Sequence, residues 1–183
     1  IFVDGTPVVL TLPYLFIENF QSNEDYYLSF YYTTFTRALR ILGFFLTILV
    51  PAIYIAIVAY HQEMLPAPLL INIATERQGV PLPAALEAFI MLIVFEILRE
   101  TALRVQTNVG QALSIVGALV VGQAAVEAKL IAAPMIIIVA MSGITSLLVP
   151  KMNAPILLLR FGILLLASRL GFLGVTVGVA FLL

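Results

Sequence analysis

No cysteine occurs in the chain, which excludes disulfides and thiolate metal sites at the outset. Charge is almost as scarce: nine Lys or Arg and ten Asp or Glu make up 10% of 183 residues. Ordinary soluble domains carry about 25%. The net charge of −1 comes with no basic patch, so no nucleic-acid partner is expected. No phosphate-binding glycine loop, metal-ligand cluster or nucleophile constellation appears. The only histidine, His61, follows the end of an apolar run and reads as a solvated interfacial residue rather than a ligand. Neither an enzyme nor a cofactor is expected.

What is present is apolar. The chain is 62% hydrophobic with a mean hydropathy of +1.13, too little polar surface for a soluble fold. An all-α membrane protein with about five transmembrane helices is therefore expected, with spans near 41–60, 84–98, 108–128, 132–149 and 156–183. Residues 1–13 read as strand, Asp4-Gly5 turn and strand, a short β-hairpin ending an upstream cytoplasmic domain. Ile1 falls in mid-strand and Leu183 inside an apolar run, so the natural chain is expected to extend both ways. Residues 14–40 hold nine of the nineteen aromatics, Tyr14, Phe16, Phe20, Tyr26, Tyr27, Phe30, Tyr31, Tyr32 and Phe35. Amphipathic rings favour the headgroup level, so this stretch is expected to be an interfacial linker.

Within the transmembrane domain, 41–183, Pro51 sits near the middle of the first span and should kink its helix. Pro66, Pro68, Pro81 and Pro83 mark a loop with a short surface helix near 69–77. If five spans alternate, one side receives Arg37, Arg40, Arg99, Arg104, Lys151 and Arg160, and the other only Arg77 and Lys129. That bias makes the first side, and the N-terminal flank, cytoplasmic. Leu183 is then expected to face outward. Gly174 and Gly178 form a GxxxG pair, usually a packing device.

The ionisable residues expected at membrane depth are Glu87, Glu96, Arg99, Glu100 and Arg169. A charge at the bilayer centre costs about 2.5–3.5 kcal/mol on insertion scales, so each should meet a partner or water. Glu96, Arg99 and Glu100 share one helical face, either as an internal ion pair or as a charged lining. Glu87 has no local partner, and a carboxylate from another helix is expected for Arg169.

The stretch 108–128 is built largely of small residues. On a helix, Gln111, Ser114, Gly117, Ala118, Val121, Gly122, Ala124, Ala125 and Ala128 share one broad face. Such a face either packs tightly against a neighbouring helix or lines a water-filled path. In the second case Gln111, Ser114, Gly117, Ala118, Val121, Ala125 and Glu127 line the pore, with Val121 as the apolar gate. Glu127 would become a ring of carboxylates at the mouth if several copies assemble.

Several stretches resemble the GerA family, the A subunits of bacterial spore germination receptors. They are Asn23-Glu24-Asp25-Tyr26-Tyr27, Leu49-Val50-Pro51-Ala52-Ile53-Tyr54, His61-Gln62-Glu63-Met64 and Glu76-Arg77-Gln78-Gly79-Val80-Pro81. Further on come Phe95-Glu96-Ile97-Leu98-Arg99-Glu100, Gly110-Gln111-Ala112-Leu113-Ser114-Ile115-Val116-Gly117 and Gly122-Gln123-Ala124-Ala125-Val126-Glu127-Ala128. The resemblance implies a subunit of a nutrient-sensing complex in the spore inner membrane. It implies homo-oligomerisation into a ligand-gated channel releasing monovalent cations. It also implies a transporter-like B subunit and a lipoprotein C subunit as partners. Sporulation protein AF is a close relative of the same family. The family often carries a glutamate near the position of Leu92, so no acidic role is expected there. From the residues alone, a non-conducting scaffold and a small-solute transporter stand beside the channel.

Overall fold

Phe30–Tyr60 forms one helix, α1, in a computed structural model that describes residues 15–104 and 108–181, with side-chain surroundings outside 102–115. At 1.5 Å per residue its 31 residues reach about 46 Å. It therefore begins eleven residues before the expected span and takes up part of the linker. The rest of the linker is two short 3-10 turns, Phe16–Phe20 and Asn23–Tyr26. The expected hairpin over residues 1–13 lies outside the described residues.

The helices that follow are α2 (Ala67–Glu76), α3 (Ala84–Arg104), α4 (Asn108–Glu127), α5 (Ala133–Ser146), α6 (Asn153–Leu170) and α7 (Phe172–Ala180). Among the described residues every regular element is helical. The surface helix expected near 69–77 starts at Ala67, since Pro66 supplies the extended entry and Pro68 falls in the first turn, where its missing N–H costs nothing.

Among the described residues two helices are long and apolar enough to cross a membrane: Phe30–Tyr60 and the continuous stretch Pro150–Leu170. Val116–Glu127 and Ala133–Ser146 are apolar but shorter. At 14 residues α5 is about 21 Å long, against about 30 Å of hydrocarbon. α3 has the length, but it carries Glu87, Glu96, Arg99 and Glu100.

The last expected span is where structure and expectation part. Residues 156–183 do not form one helix: the chain breaks at Gly171, whose φ of +60° is a left-handed conformation glycine adopts readily. α7 then runs back beside α6, with Gly174 against the Leu166 carbonyl and Gly178 against Ile163. At nine residues α7 is about 14 Å long and does not cross, so the described chain turns back instead of leaving on the far side. The carbonyls freed where α6 ends are met by the Tyr60 hydroxyl, which donates to Ser168 at 2.7 Å and to Arg169 at 3.2 Å.

α1 is the centre of the bundle, packed by α3, α5, α6 and α7. Phe44, Ile48, Ala52 and Ala56 meet Ile156, Ile163 and Ala167 of α6 in one core cluster. Ile55 and Val58 join Ala88, Met91 and Leu92 of α3, Met135 and Val139 of α5, and Leu164 in a second. Leu92 is fully buried among apolar side chains, which suits the residue found there. α1 and α6 run parallel, since Tyr60 at the end of α1 reaches the end of α6, while Lys151, before the start of α6, lines one cavity with Arg40, twenty residues earlier in α1. α5 runs the other way: Leu148 lies against Gly43, and Ala132 at its opposite end bonds Glu87. α4 packs mainly on α3.

Candidate functional site

Proline at position 51 has no N–H, so the Thr47 carbonyl loses its intrahelical donor. A buried acceptor left alone is costly, and Ser142 of α5 supplies the missing bond: its hydroxyl donates to the Thr47 carbonyl at 2.7 Å. The Thr47 hydroxyl pairs with the Thr145 hydroxyl at 2.9 Å, closing a second link between α1 and α5. Ser142 and Ser146 are four apart and share one face of α5. On that face they receive two arginines.

Arg160 of α6 donates from Nη1 to Ser142 Oγ at 3.4 Å, and Arg99 of α3 from Nη1 to Ser146 Oγ at 3.2 Å. Glu96 joins the two cations. Its Oε1 takes Arg99 Nη2 at 2.7 Å and its Oε2 takes Arg160 Nη2 at 3.2 Å. The Phe161 ring lies 5.7 Å from the Arg160 guanidinium carbon, a weaker cation–π contact. Arg160 is 1% exposed, the largest fully buried side chain among the described residues. Its Nε and that of Arg99 are buried without a partner. Two guanidiniums on one carboxylate leave the cluster donor-rich and cationic. A groove of about 490 Å³, lined by Ile93, Glu96, Ile97, Glu100, Leu157 and Phe161, leads to it from the surface.

The expected internal pair of Glu96 and Arg99 is thus present, and it is one half of a larger cluster. Arg160, counted by the sequence with the loop cations, lies eight residues into α6 and holds the other half. A lone arginine inside an apolar run was the available signal. Glu100 follows on the groove wall and is exposed. Arg169 lies one residue from the end of α6, exposed, and forms no ion pair among the described residues. His61 is exposed and stands edge-on to Phe172, with ring centroids 5.3 Å apart.

A second cluster lies at the opposite end of the bundle. Glu87 is fully buried; its Oε1 takes Arg77 Nη2 at 2.9 Å and its Oε2 takes the Ala132 N–H at 3.2 Å. That carboxylate satisfies a donor at the start of α5, where negative charge is favoured. Glu87 therefore has a partner, supplied from the loop before its own helix. The Tyr54 hydroxyl and Arg77 Nη1 are buried without hydrogen bonds. No group of three or more His, Asp or Glu that could hold a metal occurs among the described residues.

The small-residue face of α4 is divided. Gly122 is buried against Ile136, Ala125 packs on the second core cluster, and Gly117 lies under Leu98. Ala118 is half-buried. Val121, 41% exposed, turns outward with Ala124 and Ala128, beside Val116, Leu119 and Val120. Glu127 is exposed at the helix end. The side chains of Gln111 and Ser114 lie outside the described residues.

The family model for Bacillus/Clostridium GerA spore germination protein matches residues 1–183. Spore germination protein KA of Bacillus subtilis (strain 168) is 48% identical over 181 residues, covering 98% of this chain and 33% of that protein. The uncharacterized membrane protein YfkQ of the same organism is 44% identical over 180 residues, 97% of this chain and 35% of its own length. Spore germination protein GerIA of Bacillus cereus is 40% identical over 184 residues, all of this chain and 28% of its own. The chain spans about a third of the length of these curated relatives. No solved structure matches it. With the family model covering every residue, and relatives at this identity along nearly the whole chain, it belongs to the GerA family of spore germination proteins.

Proposed function

We propose that the chain is the membrane part of an A subunit of a nutrient-responsive germination receptor, and that copies assemble with α4 towards a common axis to form a ligand-gated cation channel. The main support is the placement of α4. It is held chiefly through α3, and its outward face carries Val116, Leu119, Val120 and Val121, all more than 40% exposed. A second copy covers that face. Val121, flanked by Ala124 and Ala128, is the apolar constriction, and Glu127 stands at the mouth where a ring of carboxylates attracts cations. Gly117, Ala118 and Ala125 support the lining from behind.

The Glu96 cluster gives this assembly its coupling element. It fastens α3, which carries α4, to α1, α5 and α6 through charge-assisted bonds. A ligand-driven shift of the bundle then reaches α4 through α3. The expected partners are a transporter-like B subunit and a lipoprotein C subunit in the spore inner membrane, with the N-terminal flank cytoplasmic. A scaffold reading is favoured by one observation, the seating of Gly122 on Ile136, which shows that part of the small face packs.

Val121→Ala should leak ions from spores without nutrient, and Val121→Phe should block release, at normal protein levels. Unchanged release in both variants rejects the gate. Cysteines at Val121 and Ala124 that stay unreactive to aqueous reagents throughout germination would favour the scaffold.

A further inference from the structure

A cavity of about 520 Å³ lies where the 3-10 turns before α1 meet the loop between α5 and α6. Arg40 and Lys151 line it, with Asn19, Ser22 and Asn23, and Glu24 also contributes. Its donors are only partly used. Lys151 Nζ makes one bond, to the Gln21 carbonyl at 3.0 Å, and an ammonium has three donors. Arg40 makes both of its bonds through Nη1, to the Phe20 carbonyl at 3.0 Å and Asp25 at 2.7 Å, so Nη2 keeps its donors.

Asp25 is shared by Arg37 and Arg40. Lys151 and Glu24 line the same cavity, and Glu18 lies on the turn before it. The turn before α1 and its first residues carry Tyr26, Tyr27, Phe30, Tyr31 and Tyr32, each more than half exposed. Rings of this kind mark the headgroup level of a bilayer.

We infer that this cavity binds a phosphate group, with Lys151 and Arg40 supplying the charge and Ser22 and Asn23 the neutral donors. The phosphate comes either from an anionic lipid headgroup or from a free phosphate ester. The lipid source rests on the membrane reading above; binding of phosphate itself does not. Occupation ties the turns of residues 16–26 to the α5–α6 loop, and so joins the N-terminal flank to the bundle.

The test uses the full-length protein in detergent, titrated by calorimetry with inorganic phosphate and, separately, with micelles of short-chain phosphatidylglycerol. Saturable binding of phosphatidylglycerol alone assigns the lipid source; saturable binding of both assigns the phosphate group without the lipid. In either case Lys151→Gln should weaken binding about fivefold, the worth of one lysine near an anionic headgroup. Glu24→Gln should strengthen it by a similar factor, because it removes an opposing charge from an exposed position. The opposite signs separate a binding role from a fold defect, which both variants could only share. No saturable binding of either probe, or binding that neither substitution changes, overturns the site.

Discussion

Ser142→Ala tests the central claim about how this bundle accommodates proline inside α1. The Ser142 hydroxyl has two tasks: it donates to the Thr47 carbonyl at 2.7 Å and accepts from Arg160 at 3.4 Å. Alanine strands the carbonyl, and a buried acceptor without a donor costs about 1–3 kcal/mol. Bonds between membrane helices measured by double-mutant cycles average about 0.6 kcal/mol, with a maximum near 1.7. The single substitution is therefore expected to cost about 1.5 kcal/mol. Pro51→Ala supplies the discriminating background. It restores an N–H opposite the Thr47 carbonyl, so the helix itself satisfies the acceptor and the Ser142 hydroxyl keeps only its bond to Arg160. In that background Ser142→Ala should cost about 1 kcal/mol less. Such a coupling exceeds the roughly 0.3–0.5 kcal/mol within which independent sites add. Reversible unfolding of the four proteins in mixed micelles, followed by far-ultraviolet circular dichroism, measures it. Equal cost of Ser142→Ala in both backgrounds refutes the assignment.

Glu96→Gln leaves two guanidiniums without their carboxylate and should cost about 3 kcal/mol, whereas Arg160→Met keeps the Glu96–Arg99 pair and should stay within about 1 kcal/mol; unfolding titrations distinguish them. The Arg40 hydrogen bond above all, then those from the Ser22 N–H and Arg37, hold the Asp25 carboxyl well below its usual 3.8 against the opposing effect of burial. Because the folded form binds the proton less readily than the unfolded one, Asp25 stabilises fully above the ordinary range and loses its effect as pH falls through the lowered value. Protection of residues 16–29 from proteolysis should thus be flat from about pH 8 to 5 and decline only below about 4. Asp25→Asn should expose the segment at every pH, with cleavage about tenfold faster. Gly174→Ala places a methyl against the Leu166 carbonyl and should cost about 1–3 kcal/mol. Gly162→Ala meets nothing within 4 Å and should stabilise by up to about 1 kcal/mol. Thermal midpoints that fail to separate the two would contradict the α6–α7 packing.

Features that depend on near neighbours were legible in the sequence, and those that depend on distant ones were not. The Glu96–Arg99 pair spans three residues, so helical spacing alone exposed it. Arg160 reaches the same carboxylate from 64 positions away, and Ser142 meets the Thr47 carbonyl from 95. The Pro51 defect could be read from one residue; its remedy could not. The break at Gly171 was hidden for another reason. Glycine in an apolar run leaves hydropathy unchanged, and only its backbone angle shows that the helix has ended.

These distant contacts follow one rule, and the rule bears on function. Each of several polar side chains answers a defect in a neighbouring helix. Ser142 serves the carbonyl freed by Pro51, Glu87 the first donor of α5, and Tyr60 the last carbonyls of α6. Such bonds fix α1, α3, α5 and α6 relative to one another, and moving α1, α3 or α5 strands a buried group. The part of α4 from Val116 onward is held differently: among its described side chains no hydrogen bond joins it to another helix, and small-residue packing on α3 and Ile136 holds it. Packing of that kind loses little when one smooth surface slides on another. If one helix of this bundle reorients while the rest keeps its bonds, the physical choice falls on α4, the helix that carries Val121 and Glu127.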